Sequence, residues 1–283
     1  MGTSKGYGGA PSALVPSWAD DTASGAAAPS GENAGDGGEE GQQQKPGKIP
    51  RSNPDTSSSG SLTSAKSNFT RFVRSGNGEQ LRKAVSQYVR NGAGSAGKAS
   101  RRMAASRGVG SRLLGVMRDI QRNGATETLR RLDRLDLIGR PAVDVFLVLT
   151  EVICPPGGRV DEAIARQALL DTIADLAETG VGNFDEMSSD QLSEFFIGYI
   201  IHTIEGRVLA DIGKHMIDLP KDVAEVEQIQ EQLHGFVEGC VRGHLESNLV
   251  GLEKQTDQQV TAIVETIYEA AFELVSATAG DVK

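Results

Sequence analysis

The sequence predicts an all-α protein, a helical body carried behind a long disordered N-terminal arm. Two observations carry the helical body: apolar residues recur at three- and four-residue spacing from Phe69 onward, and the alternating pattern of half-buried strands is absent. A third carries the arm. Residues 1–61 include GENAGDGGEEGQQQKPGK and SNPDTSSSGS, stretches almost free of aliphatics that bury too little apolar surface to offset the entropy of ordering them.

Charge divides the chain into three regions. The arm, 1–61, carries a net −3; residues 62–134 carry +12, from 16 Lys/Arg against 4 Asp/Glu; residues 135–283 carry −18. We therefore expect a Gly/Pro/Ser-rich arm, a basic helical region and an acidic α-helical domain. The basic and acidic regions attract each other, and the sequence leaves open whether they pair within one molecule or between two.

In the basic region, Phe69, Phe72 and Val73 form one stripe, and Leu81, Val85, Tyr88 and Val89 another. Gly76, Gly78, Gly92 and Gly124 punctuate a series of short amphipathic helices with basic outer faces. In the acidic region, Pro141 suits a first helical turn, and AVDVFLVLTEVIC at 142–154 reads as a buried helix stopped by CPPGG. Asp161 or a near neighbour opens the next helix, which ends at Gly180. Ser188 or Ser189 caps a helix running through SDQLSEFFIGYIIHTIEGRVLADIGK, with Asp190 favouring its N-terminus. A further helix follows Pro220, and DQQVTAIVETIYEAAFELVSATAG is the last.

The bulk composition narrows the function classes. Cys154 and Cys240 form no CxxC pair and no secretory framework, and no basic-then-apolar signal pattern or membrane-length apolar run is present. A cytoplasmic protein is expected. The opening Met-Gly lacks the Ser or Thr at position 6 that myristoylation requires, since Gly6 stands there.

Several motifs invite chemistry and have plainer readings. Gly92 to Lys98 matches G-x-x-x-x-G-K, but Ala99 replaces the magnesium-binding hydroxyl and the preceding segment is helical rather than a strand. It reads as a glycine-rich helix connector, with a backbone anion site as the alternative. Arg101, Arg102, Arg107 and Arg112 form a basic run suited to phosphates or to an acidic protein surface, with no interleaved aromatics for base stacking. Cys240 and His244 share a helical face with His234 ten residues before His244, yet no compact signature completes a zinc site. The histidines read as core or surface residues, and Asp171, Asp175 and Glu178 as one solvated acidic face. Neither a catalytic constellation nor a metal site nor a cofactor is expected, so the chain reads as non-enzymatic.

The order of MGTS, PSWADD, RFVRSG, LRKAVSQYVRNGAG, KASRRMAASR, RLLGVMRDIQ, GRPAVDVFLVLTEVICPPGG, DEAIARQALLDTIADL and EGRVLADIG resembles the QatB family of the bacterial Qat anti-phage defence system. The resemblance implies an antiviral role in the bacterial cytoplasm beside three companions: an ATPase (QatA), a QueC-like protein (QatC) and a TatD-like nuclease (QatD). It implies further that the chain is the acceptor onto which the QueC-like partner attaches a deazaguanine base, at the protein N-terminus. Removal of Met1 exposes Gly2, whose α-amine has a pKa of about 8 against about 10.4 for a lysine such as Lys5. An unbranched glycine amine imitates the ammonia used in QueC chemistry, and Tyr7, Leu14, Val15 and Trp18 would anchor the arm on the partner. The other reading is an adaptor that uses the four arginines to bring phage DNA to the nuclease.

Overall fold

The computed structural model describes residues 61–213 and 223–277. Among them are ten α-helices and no strand, with one isolated bridge between Pro141 and Asn183. The expected all-α class is met in the described residues. The arm, with Gly2, Tyr7, Leu14, Val15 and Trp18, lies outside them, apart from Ser61.

Helices α1 (Thr63–Ser75) and α2 (Gly78–Gln87) form a hairpin. Gly76 closes α1 at φ +65°, a backbone conformation that costs a residue with a Cβ, and its N–H reaches the Phe72 carbonyl at 2.8 Å. Asn77 then caps α2, its Oδ1 accepting the Glu79 N–H at 2.9 Å. The chain leaves α2 through a π-helical turn, Tyr88–Ala93, and enters α3 (Ala96–Arg101). Helix α4 (Ala104–Asn123) follows, with the short α5 (Ala125–Arg131) behind it.

At 20 residues, α4 is longer than the short helices expected here. The glycines of AASRGVGSRLLGV lower its intrinsic propensity, and tertiary packing overrides them. A Cβ on Gly110 would lie 3.4 Å from both Tyr199 and Val264, so glycine lets α4 approach two neighbours closely.

The acidic part supplies α6 (Ala142–Ile153), α7 (Val160–Glu178), α8 (Ser189–Gly213), α9 (Val223–Asn248) and α10 (Asp257–Ala277). Helix α6 is not buried throughout: Val145, Phe146, Leu149 and Ile153 face inward, while Leu147 and Val152 are 44% and 47% exposed. Ser188, rather than Ser189, caps α8; its Oγ accepts the Gln191 N–H at 3.2 Å, and Gln191 Oε1 accepts the Ser188 N–H at 2.8 Å. Thr256 and Gln259 repeat this reciprocal cap on α10.

Helix α8 is the axis of the molecule. Phe195, Phe196, Ile197, Tyr199, Ile200, Ile201 and Ile204 are buried on successive faces, as a helix apolar all round requires, and α7, α9, α4 and α1 pack on it. Phe146 of α6 stacks on Phe195 with ring centroids 3.9 Å apart and meets the edge of Phe184 at 5.4 Å. One core runs from Ala65 to Val275, so the basic and acidic regions share a single hydrophobic interior.

That packing answers the charge question left open by the sequence: the two regions pair within one chain. Arg118, buried, binds Asp257 at 2.6 Å and Asp119 at 2.8 Å. Arg107 meets Glu265 at 3.1 Å, and Arg122 donates to the Glu253 carbonyl at 2.7 Å. Tyr88 donates to Asp211 at 2.8 Å beside Arg207, which lies 3.0 Å from the same oxygen. Burial, and then the Asp211 carboxylate, push the Tyr88 hydroxyl well above its ordinary pKa, so it stays a neutral donor.

Candidate functional site

The four arginines of the basic run do not form one open surface. A break at Arg102–Met103 sets Arg101 at the end of α3 and Arg107 and Arg112 on α4. Arg101 is exposed at the end of α3 and makes no ion pair among the described residues. Arg102 is half-buried, and its carbonyl accepts from Arg207 at 3.5 Å. Arg107 is held by Glu265 of α10. Arg112 donates from Nε to the Ile153 carbonyl at 2.6 Å, where it satisfies the open C-terminal end of α6. Arg166 completes that end, donating to the Cys154 carbonyl at 2.8 Å and pairing with Glu151. The ICPPGG stretch therefore leaves its helix under two guanidinium groups.

The connector Gly92–Lys98 is a packing joint. A Cβ on Gly92 would collide with the Leu62 side chain, and one on Gly97 would lie 2.7 Å from Glu269 Oε1. Ser95 already caps α3, accepting the Lys98 N–H at 3.1 Å. The segment before it is helix and π-turn, so the strand that delivers a phosphate loop to its helix is missing here.

Where the sequence reading placed no site, the fold gathers titratable groups from three helices. His202 and Glu205 lie three residues apart on one face of α8. Helix α9 brings His234 against them, and α7 brings Asp175 from the other side. Glu205 Oε2 lies 3.2 Å from His234 Nδ1 and 3.7 Å from His202 Nδ1. The two imidazole centroids are 4.9 Å apart. His202 Nε2 bonds Asp175 Oδ2 at 2.7 Å. Side-chain exposure is 13% at His202, 12% at Glu205 and 32% at His234, which sets the group just beneath the surface.

The electrostatics follow from this crowding. Burial opposes charge on His202, but its hydrogen bonds to Glu205 and Asp175 outweigh it and hold the imidazole up at about 9. Burial likewise opposes charge on Glu205, and the two histidines outweigh it, keeping the carboxylate below its usual range. Asp171, one turn from Asp175, is pushed up, first by burial. The face read as merely solvated thus includes Asp175 as a partner of His202. The sequence reading looked to Cys240 and His244 for company to His234; the partner is Glu205, 29 residues earlier. The legible signal was His-x-x-Glu on one helical face, and its completion required knowing that α9 folds back on α8.

Among the described residues, no helix is long and apolar enough to cross a membrane. Neither a curated protein nor a solved structure matches this chain. One family model does, over residues 94–275, from the end of the π-turn to the last turns of α10; its description is "Qat anti-phage system associated protein QatB". The matched span holds the two-arginine closure of α6, the central α8 and the histidine–carboxylate cluster, and it covers well over half of the chain. The chain belongs to the QatB family and is a component of the Qat anti-phage system.

Proposed function

We propose that this protein serves the Qat system without catalysing a reaction, as the acceptor of a deazaguanine-type modification on the α-amine of Gly2. The helical body docks on companion proteins, and the arm presents Gly2 to a QueC-like partner in the cytoplasm. Once Met1 is removed, the Gly2 amine is the one primary amine of the arm with a pKa near 8, so a useful fraction is uncharged at neutral pH while Lys5 is almost wholly protonated. Its lone pair attacks the ATP-activated deazaguanine carboxylate. A C–N amide bond forms, the bond to the activating group breaks, and the amine loses its proton. Tyr7, Leu14, Val15 and Trp18, the apolar cluster of the arm, anchor it on the partner.

Membership of the QatB family carries this reading, because it sets the chain among the components of the Qat system. The engagement of Arg107 and Arg112 within the chain supports it against the DNA adaptor, which would need those cations free. Intact mass tests the acceptor role. Protein made beside its QueC-like neighbour should exceed the Met-less chain by one deazaguanine acyl group, and Gly2→Val should abolish the increment. A mass that never exceeds that of the Met-less chain sinks the proposal.

A further inference from the structure

We propose that His202, Glu205 and His234 bind one zinc-class divalent cation, with Asp175 positioning His202. Three candidate ligand atoms, two nitrogens and one carboxylate oxygen, lie within 4.8 Å of one another. Bonds of about 2.0–2.1 Å around a tetrahedral zinc separate its ligand atoms by roughly 3.4 Å. The Glu205–His234 and Glu205–His202 distances of 3.2 and 3.7 Å bracket that value. Small rotations of the rings complete the approach.

The surrounding groups fit a cation. Asp175 accepts the Nε2–H of His202, so Nδ1, turned toward Glu205, is the nitrogen that a cation takes in place of a proton; a carboxylate behind a ligating histidine fixes its tautomer in the same way at metal centres. Without a cation, the protons of the two imidazoles share one Glu205 oxygen, 3.2 Å from His234 Nδ1 and 3.7 Å from His202 Nδ1, with the ring centroids 4.9 Å apart. A dication replaces those shared protons, and its charge is balanced by Glu205 and Asp175. Two imidazoles select the zinc class over magnesium or calcium, which take oxygen ligands. Three protein ligands leave a fourth position, and the greater exposure of His234 directs it to the surface. The cation ties α8 to α9, whose termini flank residues 214–222.

Full-length protein stripped with a chelator, then titrated with Zn²⁺ against a chromophoric zinc indicator, tests the site. The expected result is one zinc per chain. Glu205→Gln and His234→Ala should each weaken binding more than a hundredfold, and Asp175→Asn by about 10–100-fold, the usual effect of losing a group behind a ligand. Zinc should raise the melting temperature of the wild type and leave that of His234→Ala unmoved, while circular dichroism confirms that the variant keeps its helices. Absence of saturable binding overturns the proposal. So does binding that survives Glu205→Gln and His234→Ala, or that disappears in Cys240→Ser while surviving Glu205→Gln.

Discussion

At the scale of single residues, the side chains that tie distant segments together carry the most structural information. Of Asp161 and its near neighbours, which the sequence expects to open α7, the neighbours Arg159 and Glu162 do so and not Asp161. Its carboxylate instead reaches the start of α4, accepting the Ala105 N–H at 2.6 Å and the Ser106 hydroxyl at 3.0 Å. The cap of α7 falls to Glu162, which accepts the Arg159 N–H at 3.0 Å. The reason is physical: α4 begins after Met103, which offers no side-chain acceptor, so its orphan N–H groups draw the nearest carboxylate from another helix. Asp161→Ala leaves those donors without a partner and should cost about 2 kcal/mol of stability, at the upper end for a helix cap. Asp161→Asn keeps one acceptor and should cost less. Urea midpoints at unchanged slope measure both; equal stability of Asp161→Ala and wild type would show that water replaces the cap.

At the scale of elements, the sequence revealed what periodicity controls and missed what packing controls. The helices from α6 to α10 were legible because their apolar residues recur at helical spacing over 12 residues or more. The full length of α4 was not, since Gly108, Gly110 and Gly115 weaken its helix propensity and only the fold shows that Gly110 sits against Tyr199 and Val264. The histidine cluster was half legible: His202 and Glu205 share a face by spacing alone, whereas His234 joins them only through the antiparallel return of α9. Gly110 allows a graded test of the packing account. Alanine there gains helix propensity while its methyl meets Tyr199 and Val264 at 3.4 Å, the edge of ordinary contact. Gly110→Ala should therefore fall within about 1 kcal/mol of wild type. Gly110→Leu must drive α4 from α8 and α10 and should cost roughly 1–3 kcal/mol, read as a lower denaturation midpoint. Equal tolerance of both would mean that the helices do not meet there.

At the scale of the whole molecule, charge is organised to close the chain on itself. The region of net +12 is spread over the part of net −18, and its Arg107, Arg112, Arg118 and Arg122 end on carboxylates and carbonyls of the acidic part. Those contacts draw Arg107 and Arg118 away from a polyanion. Of the basic run, Arg101, Arg102 and the unbonded nitrogens of Arg112 remain, with Lys98 exposed nearby. Three or four phosphate contacts give a logarithmic salt slope no steeper than about −4, hence roughly a hundredfold loss of affinity between 50 and 200 mM salt. A surface that uses six to ten cations loses about a thousandfold or more over the same range. Fluorescence anisotropy with duplex DNA across that series distinguishes the two. We expect weak binding with a shallow slope, made shallower by about 2 when Arg101→Ala and Arg102→Ala are combined. A slope near −6 or steeper would bring in cations beyond that run, or Arg107 released from Glu265. The adaptor reading would then displace the acceptor.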